Sequence, residues 1–222
     1  MLNIYITIMI DNYCERVDAS FWSEPVNALT NLSFIVAGLV AISLLRKNRA
    51  SPMYLWVLAG LMILIGIGSF LFHTFATPLT ALADGLPIYA FQLMFLWCFP
   101  RFVLRINYWQ VCGVIGLFLV TMVVSSRIPV ELNGSENYVP AVLMLGIFAV
   151  FAARRALIGT RWLVVAAVVF AVSLTARTVD EWWCVSWPLG THFIWHILNG
   201  IVVYLSWLSL FFGQRAVRTD GV

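Results

Sequence analysis

The stretch Tyr54-Leu-Trp-Val-Leu-Ala-Gly-Leu-Met-Ile-Leu-Ile-Gly-Ile-Gly-Ser-Phe-Leu-Phe-His-Thr74 runs for 21 residues without an aspartate, glutamate, lysine or arginine. As a helix it is long enough to cross the hydrocarbon core of a bilayer. It closes on His73, one of three histidines in the chain. The rest of the sequence has the same character. Of 222 residues, 62% are hydrophobic and 10% charged, and the mean hydropathy is +0.94. A soluble domain carries roughly 25% charge, so the composition excludes one. The net charge of +3 is no nucleic-acid signature, because the basic residues lie in short connections, where they orient a membrane protein.

Seven apolar segments are expected, at about 26–46, 54–74, 82–100, 108–126, 138–155, 161–178 and 191–213. The fold class is therefore all-α. It is a seven-transmembrane helix bundle forming one domain over residues 1–222, headed by an external acidic segment, 1–25. Ten of the thirteen basic residues fall on one side: Arg46, Lys47, Arg49, Arg101, Arg105, Arg154, Arg155, Arg161, Arg215 and Arg218. Arg16, Arg127 and Arg177 fall on the other. Positive charge stays inside, so the N-terminus is expected outside and the C-terminus in the cytoplasm. The early stretch Ile4 to Ile10 is short and no lysine or arginine precedes it. It does not read as a cleaved signal peptide.

His192-Phe-Ile-Trp-His196 opens the last segment. Histidines four apart share a helix face and can hold one metal; a pair bonded across helices is the alternative. With segment two running outward and segment seven inward, His73, His192 and His196 share one depth. Three protein ligands plus a water describe a catalytic zinc site. Ser69 stands four residues before His73, on its face, where a hydroxyl can stabilise an oxyanion. The alternative is a small packing residue beside Gly66 and Gly68. Asp84 sits in an apolar setting. A carboxylate at membrane depth is costly and normally functional, here as general base and then acid. The alternatives are a partner for a histidine N–H or a cap on segment three.

Four carboxylates, Asp11, Glu15, Asp18 and Glu24, fall within fourteen positions before segment one. Hard oxygen ligands of this kind suit calcium; a solvated lead-in with helix caps is the alternative. Asn27 and Asn31 are expected to bond across helices or to the cavity. Cys14 and Cys184 are both external by this topology, so a disulfide between them is expected. Arg177 and Asp180, three apart, are read as a local ion pair.

Taken together, Phe21-Trp-Ser-Glu24-Pro-Val-Asn27-Ala-Leu-Thr-Asn31, Gly66-Ile-Gly-Ser69-Phe-Leu-Phe-His73, Asp84-Gly-Leu-Pro87, the Asp180 and Cys184 pair, and His192-Phe-Ile-Trp-His196 resemble the alkaline ceramidase family. That family lies within a wider group of seven-helix membrane hydrolases. The resemblance implies an intramembrane zinc and hydrolysis of ceramide to sphingoid base and fatty acid. It implies zinc on His73, His192 and His196, acid–base chemistry at Asp84, an oxyanion donor at Ser69 and a Cys14–Cys184 bridge. Eukaryotic members bind calcium through this acidic segment. Here Glu15 and Glu24 look equivalent, with Asp11 shifted and Asp18 or Asn12 as substitutes. The short loops and the Glu24-Pro25 pair look more like the bacterial branch.

The expected function is thus a zinc-dependent amide hydrolase whose partner is a membrane lipid, ceramide or another N-acyl lipid, entering between helices. Two rivals use the same residues. One is a zinc-binding receptor of the progestin and adiponectin receptor type, whose N-terminus would lie inside. The other is a proton-coupled transporter with the histidines in its path.

Overall fold

The computed structural model describes residues 9–48, 51–127, 129 and 132–219, the side chains of 216–219 excepted. Most of the Ile4–Ile10 stretch, Arg49 and the side chain of Arg218 lie outside these residues. Among the described residues eight α-helices follow one another: α1 (Pro25–Thr30), α2 (Leu32–Lys47), α3 (Met53–Phe75), α4 (Pro78–Phe102), α5 (Tyr108–Ser125), α6 (Val139–Arg154), α7 (Thr160–Thr178) and α8 (His192–Thr219). Helices α1 and α2 together form one span, and seven spans are long and apolar enough to cross a membrane. The expected all-α, seven-span architecture is therefore present.

The third span starts earlier than the expected residue 82. Thr77 and Thr80 make a reciprocal cap: the Thr77 hydroxyl accepts the Thr80 N–H at 3.3 Å, and the Thr80 hydroxyl accepts the Thr77 N–H at 3.0 Å. Pro78 takes the first helical position, where a missing N–H costs nothing. Asp84 consequently lies well inside α4 and caps nothing.

Helices α3 and α8 are the innermost spans, with 50% and 61% of their apolar windows buried, against 17% for α4 and α5. Leu79, Leu82 and Leu86 on α4, and Leu117, Val120 and Val124 on α5, point outward, as lipid contact demands. Leu58 and Met62 of α3, Phe99 of α4, and Trp207 and Leu210 of α8 belong to one buried core. The Trp207 indole donates to the Leu55 carbonyl at 3.0 Å, which leaves no bare polar group there.

Small residues set two helix contacts that matter for the site. A Cβ on Gly68 would fall on the carbonyl of Ala83, so α3 and α4 meet backbone to backbone beside Ser69 and Asp84. A Cβ on Gly200 would come within 2.9 Å of the Ser33 backbone, and the Ser33 hydroxyl donates to the His196 carbonyl at 2.8 Å. Only small side chains allow such approaches.

The Cys14–Cys184 disulfide is formed and joins positions 170 residues apart. The Arg177–Asp180 ion pair is not. Asp180 is fully buried. Its Oδ1 accepts the N–H groups of Thr191 at 2.6 Å and His192 at 2.9 Å, and its Oδ2 that of Cys14 at 3.1 Å. Unsatisfied N–H groups at the start of α8 attract this carboxylate more strongly than the guanidinium in the last turn of α7. Asn27 and Asn31 also stay local, donating to Glu24 and to the Asn27 carbonyl.

Gly68→Ala is expected to lower stability by about 1–3 kcal/mol, the usual cost of overpacking. Gly60→Ala, where a Cβ meets nothing within 4 Å, serves as the neutral control. Thermal midpoints of the two purified variants in detergent check this.

Candidate metal centre

The last turn of α3 and the first turns of α8 deliver three imidazoles to one end of the bundle. His73, His192 and His196 are each at most 2% exposed. Their ring centres are 5.2 Å (73–192), 4.7 Å (73–196) and 4.5 Å (192–196) apart. One nitrogen from each lies within 4.8 Å of the others, close enough to share an ion. Among the described residues no other group of three or more histidine, cysteine or acidic side chains does so.

Partners on the far side of two rings orient them. His73 Nδ1 is 2.6 Å from Glu24 Oε2. Donation of Nδ1–H to the carboxylate leaves the Nε2 lone pair free. His196 Nδ1 is 3.0 Å from the Thr30 hydroxyl. That hydroxyl already donates to carbonyls of its own helix, at 2.8 Å to Val26 and 3.0 Å to Asn27. Its oxygen therefore accepts from His196, and Nε2 is again free. His192 Nδ1 is buried with no partner, as fits an imidazole waiting for an ion. The Tyr13 ring stacks on His192, with centres 3.6 Å apart and planes at 17°. The donor set is three imidazoles with no thiolate, which suits zinc or another divalent transition metal.

Glu24 is itself held. Arg16 Nε donates to its Oε1 and the Asn27 amide to its Oε2 at 3.0 Å. Burial pushes the Glu24 carboxyl up, but the bonds from His73, Asn27 and Arg16 hold it below its ordinary value. Arg16 also donates to the His73 carbonyl at 2.9 Å, one of the unsatisfied carbonyls at the end of α3. The four acids expected to share a calcium ion do not converge. Glu15 accepts the Val26 and Asn27 N–H groups, both at 2.7 Å, at the start of α1. Asp18 accepts the Ser20 N–H at 2.9 Å, and Asp11 is exposed. Of the four, only Glu24 forms an ion pair with Arg16.

Ser69 and Asp84 line a cavity of about 180 Å³ together with Tyr13, Arg177, His192 and His196. The Ser69 hydroxyl faces the Asp84 carboxyl. Asp84 Oδ1 is buried without a hydrogen-bond partner. A second, apolar hollow of about 80 Å³ adjoins it, sharing Phe34, Ile65, Ile88, Tyr138 and Trp195. Polar and apolar compartments thus meet beside the histidines, an arrangement made to take an amphiphile.

A family model described as Ceramidase matches residues 10–217. The chain belongs to the ceramidase family. It is therefore a hydrolase acting on the amide bond of ceramide, which sets the receptor and transporter readings aside. Comparison with individual curated proteins gives no match. Sequence reasoning had placed the three histidines, Ser69 and Asp84 together at one depth, and they do meet. It missed Tyr13, Thr30 and Arg177, and it gave Glu24 and Asp180 other partners. Only Glu24 left a signal in the sequence: an acid just ahead of an apolar helix, with no basic residue closer than Arg16.

Metal analysis of this ceramidase is expected to find one equivalent of bound metal. His73→Ala and His196→Ala should lose it. Glu24→Gln should lower the thermal midpoint, because it leaves Arg16 buried without its carboxylate, and in the folded protein it should weaken metal retention about 10–100-fold in a chelator competition, the usual effect of removing a ligand's outer partner.

Proposed function

We propose that this ceramidase is a zinc-dependent intramembrane amide hydrolase, with zinc on His73, His192 and His196, Asp84 as base and then acid, and Ser69 as oxyanion donor. The observation that carries the proposal is the unpartnered Asp84 Oδ1, buried in the same cavity as Ser69 and two of the imidazoles. When bound, zinc supplies Lewis-acid polarisation of the amide carbonyl and acidifies a water to a pKa of about 7.

The residues of the chain do the rest. Asp84 Oδ1 accepts a proton from the attacking water as its oxygen bonds to the carbonyl carbon. The Ser69 hydroxyl donates to the oxyanion as charge develops there. The C–N bond then breaks, and Asp84 returns the proton to the leaving amine. Fatty acid and free amine are the products, and Asp84 ends as it began. The apolar hollow takes the acyl chain, with Phe91 and Leu96 of α4 and Val202 of α8 on its walls.

The cavity is proposed to open toward the external side of a single domain, with the N-terminus outside and the C-terminus in the cytoplasm. Support comes from the basic residues gathered in the connections at the opposite end and from a disulfide at the cavity's own end, which suits an oxidising compartment.

Asp84→Ala is expected to abolish fatty-acid release while the bound metal remains. Ser69→Ala should lower kcat about 10²–10³-fold, as removal of one oxyanion donor does. Stripping the metal should stop turnover, and added zinc should restore it. Mass-spectrometric detection of fatty acid freed from ceramide checks all three; full turnover by metal-free protein would sink the mechanism.

A further inference from the structure

Arg177 is a buried cation that these steps leave without a task. It lies in the last turn of α7, 9% exposed, on the wall of the cavity that holds His192 and Asp84. Its Nη1 donates to the Tyr13 hydroxyl at 2.8 Å, while its Nε is buried with no partner. Among the described residues no carboxylate forms an ion pair with it. The rings of Tyr13, Tyr138 and Trp195 surround it, their centres 5.4, 5.4 and 5.5 Å from the guanidinium carbon. Aromatic faces and a neutral phenol solvate a guanidinium in part but do not neutralise it. A charge at membrane depth with no carboxylate in ion-pair contact is a functional group by default.

Its place in the cavity says what it meets. The guanidinium carbon is 5.4 Å from the Tyr13 ring, which is itself 3.6 Å from the His192 ring. A lipid whose amide lies at the imidazoles therefore brings its nearest substituents to Arg177. The acyl half has the apolar hollow, and hydrocarbon gains nothing beside a charge. That leaves the amine half. A free Nε–H next to an Nη–H is the fork that grips a planar carboxylate through two parallel bonds.

We propose that Arg177 binds an anionic group on the amine half of the substrate, so that this ceramidase prefers N-acyl lipids carrying a carboxylate-type group next to the amide nitrogen. The proposal rests on the amide-hydrolase function above and narrows its substrate class.

N-dodecanoylserine and N-dodecanoylserinol differ only in a carboxylate against a hydroxymethyl group and test it directly. The unmodified enzyme should hydrolyse the serine amide with kcat/KM roughly tenfold or more above the serinol amide, chiefly through KM, as a charge-assisted hydrogen bond predicts. Arg177→Gln should erase that ratio by lowering kcat/KM for the serine amide more than for the serinol amide, and Arg177→Lys should keep part of it, as a point charge without the fork would. Equal kcat/KM for the two amides in the unmodified enzyme would overturn the proposal. So would an equal fall for both in Arg177→Gln, the mark of a brace on Tyr13. So would a variant that merely relieves inhibition by dodecanoate, which would put the anion on the acyl product. Calorimetric binding of both amides to Asp84→Asn separates the two claims. Preferential binding of the serine amide without any turnover by the unmodified enzyme keeps Arg177 and removes the hydrolase; turnover without a binding preference does the reverse.

Discussion

A carboxylate buried at the edge of a bilayer must be answered by its surroundings, and Glu24 is answered three times. Arg16, Asn27 and His73 all bond to it. Loss of Arg16 would leave the carboxylate buried without a counter-ion, which in proteins costs several kcal/mol. The consequence is geometric. The segment before α1 is tied to the end of α3, and the His73 ring is held with one nitrogen facing Glu24 and the other facing the site. Arg16 strengthens the tie by capping the His73 carbonyl. The position of His73 is thus set by a contact with a residue that precedes the first transmembrane span.

A second carboxylate does the same for α8. Asp180 gathers N–H groups from Cys14, Thr191 and His192. The adjacent disulfide holds the same N-terminal segment to the same connection. Gly190, at φ +64°, passes so close to Asp180 and Cys14 that a Cβ would collide with both. His192 and His196 therefore start from a junction of three chain segments, not from a freely ending helix. Two acids and one disulfide bring the histidines of α3 and α8 to the same end of the bundle.

Around this frame the bundle divides its interior by polarity. Ser69, Asp84 and Arg177 line the cavity at the histidines, and aromatic and aliphatic side chains line the hollow beyond. Close helix contact at Gly68 places Asp84 opposite Ser69 without giving Oδ1 a partner. In an apolar interior such an atom is destabilising unless a substrate or water meets it. Stability is given up at the proposed site, while in the core the Trp207 indole has its partner in the Leu55 carbonyl.

Much of this was legible in the residues alone. Runs such as 54–74 favour helices, because in a bilayer only a helix satisfies a segment's backbone within that segment. The spacing of His192 and His196 puts them on one face, and the span directions bring His73, Ser69 and Asp84 to their level. Those conclusions need only helix geometry and chain direction. The partners of the charged groups were beyond reach. Arg177 looked paired with Asp180 because they are neighbours in sequence, and the N-terminal acids looked like one cluster for the same reason. In the folded chain Asp180 turns to the open N–H groups of α8, Glu24 to His73 and Arg16, and Arg177 to the cavity. The sequence alone determined the helices and the depth of the candidate ligands, through hydropathy and a fixed helical period. Tertiary structure alone decided which charge answers which, because burial removes water and leaves each ionic group to find its partner in space.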